Sequence, residues 1–452
     1  MFKKVEIWIV FLILMMGFPF LIGFGSLVRQ ELVSEKKFGK ISQFALFLAE
    51  IPTQIRNLTL SDDLEVEDRF PSLDGFKGKF NLQESYLLLS RYDGNLKEGI
   101  VELVDLKNFE VIHTWNVDIN KFNDLVGYEN EFKNLRRDGN NARSTYHHPQ
   151  LLEDGSLIFH NNSPIRIIDA CSNLVTQYTN DMYHHSIEVD IKGNFWTSSF
   201  LYPQTLSANK IGRDIVSEGG YRDDAIVYLS PNGKIIYEKS ISEIFIENNL
   251  EYLLFAVGDM NFNNDPIHIN DIQPVDIKSK FWEKGDLFLS LRHQSMILLY
   301  RPSTNKILWK GTGPFFHQHD VNILDDHRIS IFNNNSKNFV DGDKVDGHNN
   351  VIIYDFKEKK YTTYLEKSLI DNEVRTITVG KSQILNNGDL FVEETNYGRS
   401  LYFNSDGSLR WTHLNRADNG KVYLVNKSRI LFTKKDLENV KNFLNYRDNC
   451  DK

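Results

Sequence analysis

After about residue 80 one strand grammar recurs six times, and it restricts the chain's fold more than any single motif. Each repeat opens with a short apolar strand, crosses a polar Gly/Asp/Asn turn and runs a second hydrophobic strand. It then closes on a strand that ends in an aromatic residue. The closing strands are VIHTW at 111–115, LVTQY at 174–178, KIIY at 234–237, KILW at 306–309, YTTY at 361–364 and SLRW at 408–411. Turn signals precede the second strands at 153–155, 192–194, 284–286 and 387–389, while 231–233 and 405–407 form hairpins into closing strands. Each unit reads as a four-stranded antiparallel blade. Blades that cannot bury both faces alone predict ring closure into a six-bladed β-propeller, since an open sheet would leave too many unpaired edges. A β-sandwich pair with accidental similarity is the plainer alternative.

The rest of the chain frames this ring. Residues 7–28 carry no charge, enough helix to cross a hydrocarbon layer of ~30 Å. Lys3 and Lys4 precede that run, whereas Glu31 and Glu35 follow Arg29, which points the body out of the cytoplasm. The expected organisation is a cytoplasmic tip and transmembrane signal anchor over 1–29, a stalk and lead-in over 30–80, the propeller over 81–433, and a short helix and tail over 434–452. Phe245, Leu250, Leu253 and Leu254 at near-helical spacing predict an inter-blade helix over 242–255 behind a serine cap. A strand within 422–431 closes the ring. The fold class is therefore all-β, a six-bladed propeller behind a membrane helix.

Composition excludes some functions. A net charge of −9 argues against nucleic acid as a general partner. Two cysteines, Cys171 and Cys450, are too few for a disulfide framework or a Cys-rich zinc site, and whether they pair with each other is left open. Asn57, Asn334 and Asn426 head N-glycosylation patterns, which matter only in a eukaryotic secretory pathway.

The chemical signal is positional. Four repeats place histidine at the start of the opening strand: YHH at 146–148, YHHS at 183–186, HIN at 268–270 and HQHD at 317–320. The opening strand of a blade is innermost, so these starts converge on one mouth of the central channel. A lone histidine is usually a satisfied core or surface residue, but equivalent placement in four repeats marks these for chemistry. Alternation puts Ile187 and Val189 on the face of His185, and Val321 and Ile323 on the face of His319. First strand positions escape strict alternation, so His184 and His317 stay in the set. Arg292 follows the second strand at 287–291, and Arg399 follows the segment at 393–398 in the same repeat frame. Arginine near a histidine cluster suits an oxyanion such as sulfate, phosphate or carboxylate, with a solvated surface role as the plain alternative. No nucleophile elbow or glycine-rich phosphate loop occurs where a strand and helix would support it.

From Tyr183 to about Asn335 these pieces resemble the arylsulfotransferase family: the His-His pair, HIN at 268–270, LSLR at 289–292, ILW at 307–309, QHD at 318–320 and IFNN at 331–334. Weaker agreement extends to 393–399. The resemblance implies a six-bladed propeller that acts outside the cytoplasm and moves a sulfuryl group between phenols through a sulfohistidine, without a nucleotide donor or other cofactor. It implies that His319 is transiently sulfated, that Arg292, His268 and Asn270 surround the sulfuryl oxygens, and that His185 assists proton transfer. His184, His317 and Arg399 complete the substrate-binding set, with no metal ligand. The partners implied are a small-molecule aryl sulfate and a phenol, with the membrane engaged through the N-terminal helix and homodimer formation open.

The chain departs from the family in three places. Only about 50 residues of stalk precede the ring, where some bacterial members carry an additional β-domain. No cysteine lies near His319, and Asn333-Asn-Asn335 stands where Asp-Asn-Gly is usual. The chemical logic is general: a neutral imidazole is nucleophilic, and its cationic adduct is a good leaving group for a second displacement. One rival reading takes the same histidines as an iron site like that of carotenoid-cleaving oxygenases, although Asn270 and Arg292 favour an anion over a cation. Another is a membrane-tethered, non-catalytic propeller that binds a partner or glycan.

Overall fold

The computed structural model describes residues 7–32, 38–59, 64–127, 132, 135–206, 221–256, 263–340, 342–448 and 450. Two compact units make up the chain, Met1–Asp63 and Leu64–Lys452. In the first, the helices Ile7–Leu32 and Lys40–Thr59 pack on each other. Among the described residues no helix is long and apolar enough to cross a membrane, so the structure does not support the expected anchor. The side chains of Ile7, Ile9, Val10 and Ile13, on which that expectation drew, lie outside the described residues.

The second unit is the six-bladed propeller. Inner strands His147–Leu151, Met182–Val189, Ile269–Pro274 and His319–Ile323 begin blades two to five, and Lys381–Ile384 begins blade six. Blade one takes its inner strand from the far end of the chain: Arg429–Leu431 pairs with Tyr86–Asp93, which continues into Glu98–Asp105 and Glu110–Trp115. Five of the six aromatic-ended strands predicted from sequence are the outermost strands of their blades, and the sixth, in blade six, is covered by one further strand. Blade five carries an extra hairpin, Ser336–Phe339 with Gly342–Val345, between its second and third strands.

Period-two patterning works here because the two faces of each blade pack on different neighbours. Leu88, Leu103 and Trp115 of blade one meet Leu157 and Phe159 of blade two, and Phe288 and Leu299 of blade four meet Val321 and Ile331 of blade five. Comparable clusters fill the other four seams. Full burial of each such side chain contributes about 1.5–3 kcal/mol, so the ring is held by its seams rather than by one central core. The aromatic closers reach across them: Trp309 stacks on Tyr354 with ring centroids 4.8 Å apart, and Tyr178 on Phe195 at 5.6 Å. Gly233 has φ +78°, and a Cβ there would stand 2.5 Å from the Tyr178 ring, so this hairpin turn needs glycine for two reasons.

Side chains also stitch each inner strand to the next. Ser186 Oγ accepts from Ile272 N at 3.0 Å, Asp271 Oδ2 from Val321 N at 2.7 Å, and Asp320 Oδ2 from Ser382 N at 3.0 Å. Gln383 closes the circuit by exchanging two 3.0 Å bonds with the backbone of Ile430. Buried carboxylates at Asp271 and Asp320 thus have a structural task.

Three expectations need correction. Residues 64–80 are not stalk: Glu65–Val66 pairs with Val422–Tyr423, and Gly75–Gly78 adds a fifth strand to blade six. The single helix expected over 242–255 is two, Ile241–Glu247 and Tyr252–Phe255, because Asn248 ends the first and Asn249 adopts φ +60°. Its cap is Ser240, which accepts from Glu243 N. Asn334 and Asn426 are buried, so neither can present a surface glycosylation site.

The C-terminal helix forms as expected, over Lys434–Arg447, with a reciprocal capping box between Thr433 and Asp436. Phe443 packs on Trp115 at 4.7 Å, and Asn439 Nδ2 donates to Leu151 O at 2.9 Å. Beyond it Cys450 forms a disulfide with Cys171 of blade two, 279 residues earlier.

Candidate active site

A recurrent backbone device aims side chains at the channel mouth. The inner strands of blades two to five each carry a register irregularity near their start, between His147 and Gln150, His184 and Ile187, Ile269 and Asp271, and His319 and Val321. Left-handed residues stand beside these bulges: His148, His185, His268 and Asp320 have φ between +46° and +60°. A bulge re-aims a side chain that regular pleating would send elsewhere. The inner strands of blades six and one pair without such a bulge but keep a left-handed residue at their start, Gly380 before Lys381 and Lys427 itself at φ +60°. Sequence reasoning missed both lysines because it followed histidine through the repeats rather than the strand-start frame, in which Lys381 is the equivalent position.

His319 is 3% exposed, and its orientation is fixed from behind. Asn334 Nδ2 donates to Thr376 O at 3.1 Å and Val379 O at 3.0 Å, which turns its Oδ1 toward His319 Nδ1 at 2.6 Å. Since that oxygen only accepts, Nδ1 carries the hydrogen and Nε2 keeps the lone pair. Burial, reinforced by the charges of Lys427 and Arg292, holds the ring well below the usual histidine range despite the Asn334 bond. His319 is therefore a neutral imidazole with a defined nucleophilic nitrogen.

Its neighbours come from blades three and four. Asn270 Nδ2 donates to Gln318 O at 2.8 Å, tying blade four to the residue before His319. The His268 and His185 ring centroids are 5.0 Å apart. Burial, with His184 next, pushes His185 well below its ordinary value. Arg292 N bonds His268 O at 3.0 Å, so the arginine and that histidine are locked neighbours. Arg292 is 8% exposed, and among the described residues its guanidinium makes no hydrogen bond or ion pair. Burial lowers its pKa, while Asp343 and Asp265 work the other way. A buried arginine with an uncommitted planar fork is a ready receptor for an oxyanion.

The remaining predicted residues separate. His184 shares a 2.6 Å Nδ1–Nδ1 hydrogen bond with His185, stacks on Phe200 at 4.0 Å, and meets Ser198 Oγ at 3.2 Å through the same nitrogen. Its Nε2 lies 3.2 Å from Asp224 Oδ1 without the alignment of a hydrogen bond. His317 is half-buried at the rim, and burial followed by Arg292 lowers it to about 4. Arg399 does not join the cluster: its Nε pairs with Glu394, its Nη2 donates to Asn372 O at 2.8 Å, and its guanidinium lies 3.7 Å from the Phe70 ring centroid. Nor does it share the repeat position of Arg292: it opens the third strand of blade six, where Met296 stands in blade four, and Glu394 claims it. Besides Lys381 and Lys427, sequence reasoning missed Asn334, Asp265 and His293.

Asp265, His268 and His293 come close enough to suggest an ion site. Three hydrogen bonds already tie them together: His268 Nδ1 faces Asp265 Oδ2 at 2.8 Å, His293 Nδ1 faces Asp265 O at 2.6 Å, and Arg222 reaches the same carboxylate at 3.1 Å, while Asp265 Oδ1 and His268 Nε2 make no hydrogen bond among the described residues. The cluster is a hydrogen-bonded set with a cation in place.

Comparisons with known proteins bear on this geometry. The profile of the arylsulfotransferase (ASST) family matches residues 148–416. No curated protein matches the chain. Among solved structures, a protein of unknown function from Bacteroides caccae aligns over 77% of this chain and 99% of its own, with 10% identity and a TM-score of 0.46. The virginiamycin B lyase of Staphylococcus aureus, solved as a catalytically inactive variant with quinupristin, aligns over 74% of this chain and 87% of its own, at 12% identity and a TM-score of 0.37. The WD40 domain of Neurospora crassa Pan2 covers 76% of this chain and 87% of its own, at 8% and 0.39. Likeness at that level carries no argument about chemistry.

Proposed function

We propose a reaction from one premise: the chain belongs to the arylsulfotransferase family, a family of sulfotransferases. This member moves a sulfuryl group from an aryl sulfate to a phenol by way of His319. The lone pair of Nε2 attacks sulfur, the N–S bond forms, and the S–O bond to the donor breaks with its electron pair leaving on the aryl oxygen. The acceptor oxygen then attacks the same sulfur, and the N–S pair returns to Nε2. Two displacements on one histidine split a single difficult transfer and predict ping-pong kinetics.

The observation that carries this reading is the pairing of His319 with Asn334 in a buried, cation-flanked setting. The bond fixes the tautomer, and a neutral partner leaves the cationic N-sulfo ring free to give up its group. Arg292 supports the reading as a fixed donor for oxygens that gain charge in a loose in-line transfer, by analogy with phosphoryl transfer. Asn270 and His268 line the same place.

A position outside the cytoplasm belongs to the same reading. It is supported by the Cys171–Cys450 bond, because disulfides persist in oxidising compartments. Membrane attachment through residues 7–28 rests on their sequence alone. Incubation with a chromogenic aryl sulfate, with and without added phenol, tests the reaction. Donor turnover that requires the phenol is expected, and a folded protein that releases no phenol from any aryl sulfate overturns it.

A further inference from the structure

Asp265 stands three residues before His268, outside every motif that drew attention in the sequence, and is 8% exposed. Its Oδ2 accepts the His268 Nδ1 hydrogen at 2.8 Å. A carboxylate offers only acceptor sites, so Nε2 is the His268 nitrogen left to exchange protons. Burial pushes the Asp265 carboxyl up, but the His268 bond and the charges of His268, His293 and Arg222 hold it below the ordinary value. It is an anion at neutral pH.

The contrast with His319 is chemical. Behind that ring is an amide, which orients it without favouring a positive charge. A carboxylate behind His268 orients the ring and stabilises imidazolium as it forms. The other nearby histidine, His185, has no carboxylate against it among the described residues and is surrounded by His184, His268, His319 and His147. Groups facing His268 are Asp265 on its own loop, Arg292 and His293 on the adjoining turn, Arg222 and His185 from blade three, and His317 and His319 from blade five. Only Asp265 among them is anionic.

We propose that Asp265 is a positioning residue that makes His268 the proton carrier of sulfuryl transfer. As the donor S–O bond breaks, protonated His268 passes the Nε2 hydrogen to the departing aryl oxygen, which leaves as phenol. As the acceptor attacks, its O–H proton moves to Nε2 while the O–S bond forms and the N–S pair returns to His319. Each cycle takes one proton from His268 and restores one. This inference rests on the sulfuryl-transfer reading and moves proton transfer from His185, where the family resemblance put it, to His268.

The test uses the full chain and two donors, one releasing an acidic nitrophenol and one releasing unsubstituted phenol, with a fixed phenolic acceptor. A good leaving group needs no proton, so Asp265→Asn should lose roughly 10²-fold or more in kcat on the phenyl donor and far less on the nitrophenyl donor. KM should stay within about threefold on both. Asp265→Glu should recover part of the loss. Should Asp265→Asn fail to fold, His268→Gln must show the same dependence on leaving group. Equal losses on both donors, with no recovery in Asp265→Glu, overturn the role. No transfer by the wild-type chain from either donor overturns the sulfuryl reading itself, and this role with it.

Discussion

Blades four and six each carry a buried arginine in the hairpin between the second and third strands, Arg292 just past the second strand and Arg399 at the start of the third, and treat it in opposite ways. Arg292 is buried, bonded through its backbone to His268, and keeps its guanidinium uncommitted among the described residues. Arg399 is equally buried, but Glu394, the Asn372 carbonyl and the Phe70 ring occupy it fully. A repeat therefore supplies positions, and partners decide which positions do chemistry. Buried charge without a partner is costly, so it persists where a ligand completes it. The same division separates the histidine-bearing starts of blades two to five from blade six, where Lys381 stands 3.9 Å from Asp320.

The largest effect should come from the histidine that Arg292 serves. His319→Asn should keep the folded ring and lose transfer by several orders of magnitude. Wild-type protein given donor alone should gain about 80 Da, one SO₃ group, on a peptide containing His319 and shed it when phenol is added. Full activity in the variant would break the assignment. An adduct on His317 or His185 would move its centre.

Next in size, Arg292→Ala should lower turnover about 10²-fold or more with little change in melting, as loss of an oxyanion donor does. Arg399→Ala should do the reverse. Removing it leaves the buried Glu394 carboxylate with the Arg375 N–H and with Arg69 at 3.5 Å, so the loss of the charged hydrogen bond should cost about 1.5–3 kcal/mol of stability, measurable by chemical denaturation. The turnover of the fraction that remains folded should stay near wild type. If the two variants exchanged phenotypes, the comparison between blades would collapse.

A smaller, graded effect concerns acid. Burial first, then neighbouring cations or other histidines, lowers His147 and His413 to about 3 and burial lowers His160 to about 4. Their unfolded counterparts titrate near 6.5, so between roughly pH 6.5 and pH 4 the unfolded chain binds more protons than the folded one. Stability should be fully present above that window and fall as pH drops through it. Denaturation at pH 5 should take up protons, and a stability profile flat from pH 7 to pH 4 would contradict the burial of these rings.

How much of this was legible follows from which interactions are local. Strand alternation, Gly/Asn turns and aromatic closers such as Trp309 are local signals that recur, so the blades and the histidine starts could be read directly. The distinction between Arg292 and Arg399 could not, because Glu394 lies five residues from Arg399 while its bond depends on how blade six folds back. Asn334 looked like part of a departure from the family pattern. Its importance comes from carbonyls at Thr376 and Val379, some 40 residues on, that set its amide. Asp265 precedes His268 closely in sequence, but only the loop conformation turns proximity into a hydrogen bond. The Cys171–Cys450 pair spans most of the ring and has no local signature.

The closing strand of the propeller also has a consequence in time. Tyr86–Asp93 leaves the ribosome early, yet its hydrogen-bonding edge is filled only by Arg429–Leu431, some 340 residues later. At roughly 5–20 residues per second that edge stands open for some tens of seconds of synthesis. The first blade to be made is the last to be finished. Throughout that interval the nascent chain presents a ready template for strand addition, which the acidic and basic side chains Arg91, Asp93, Glu98 and Glu102 of its sheet help keep from pairing with the wrong neighbour.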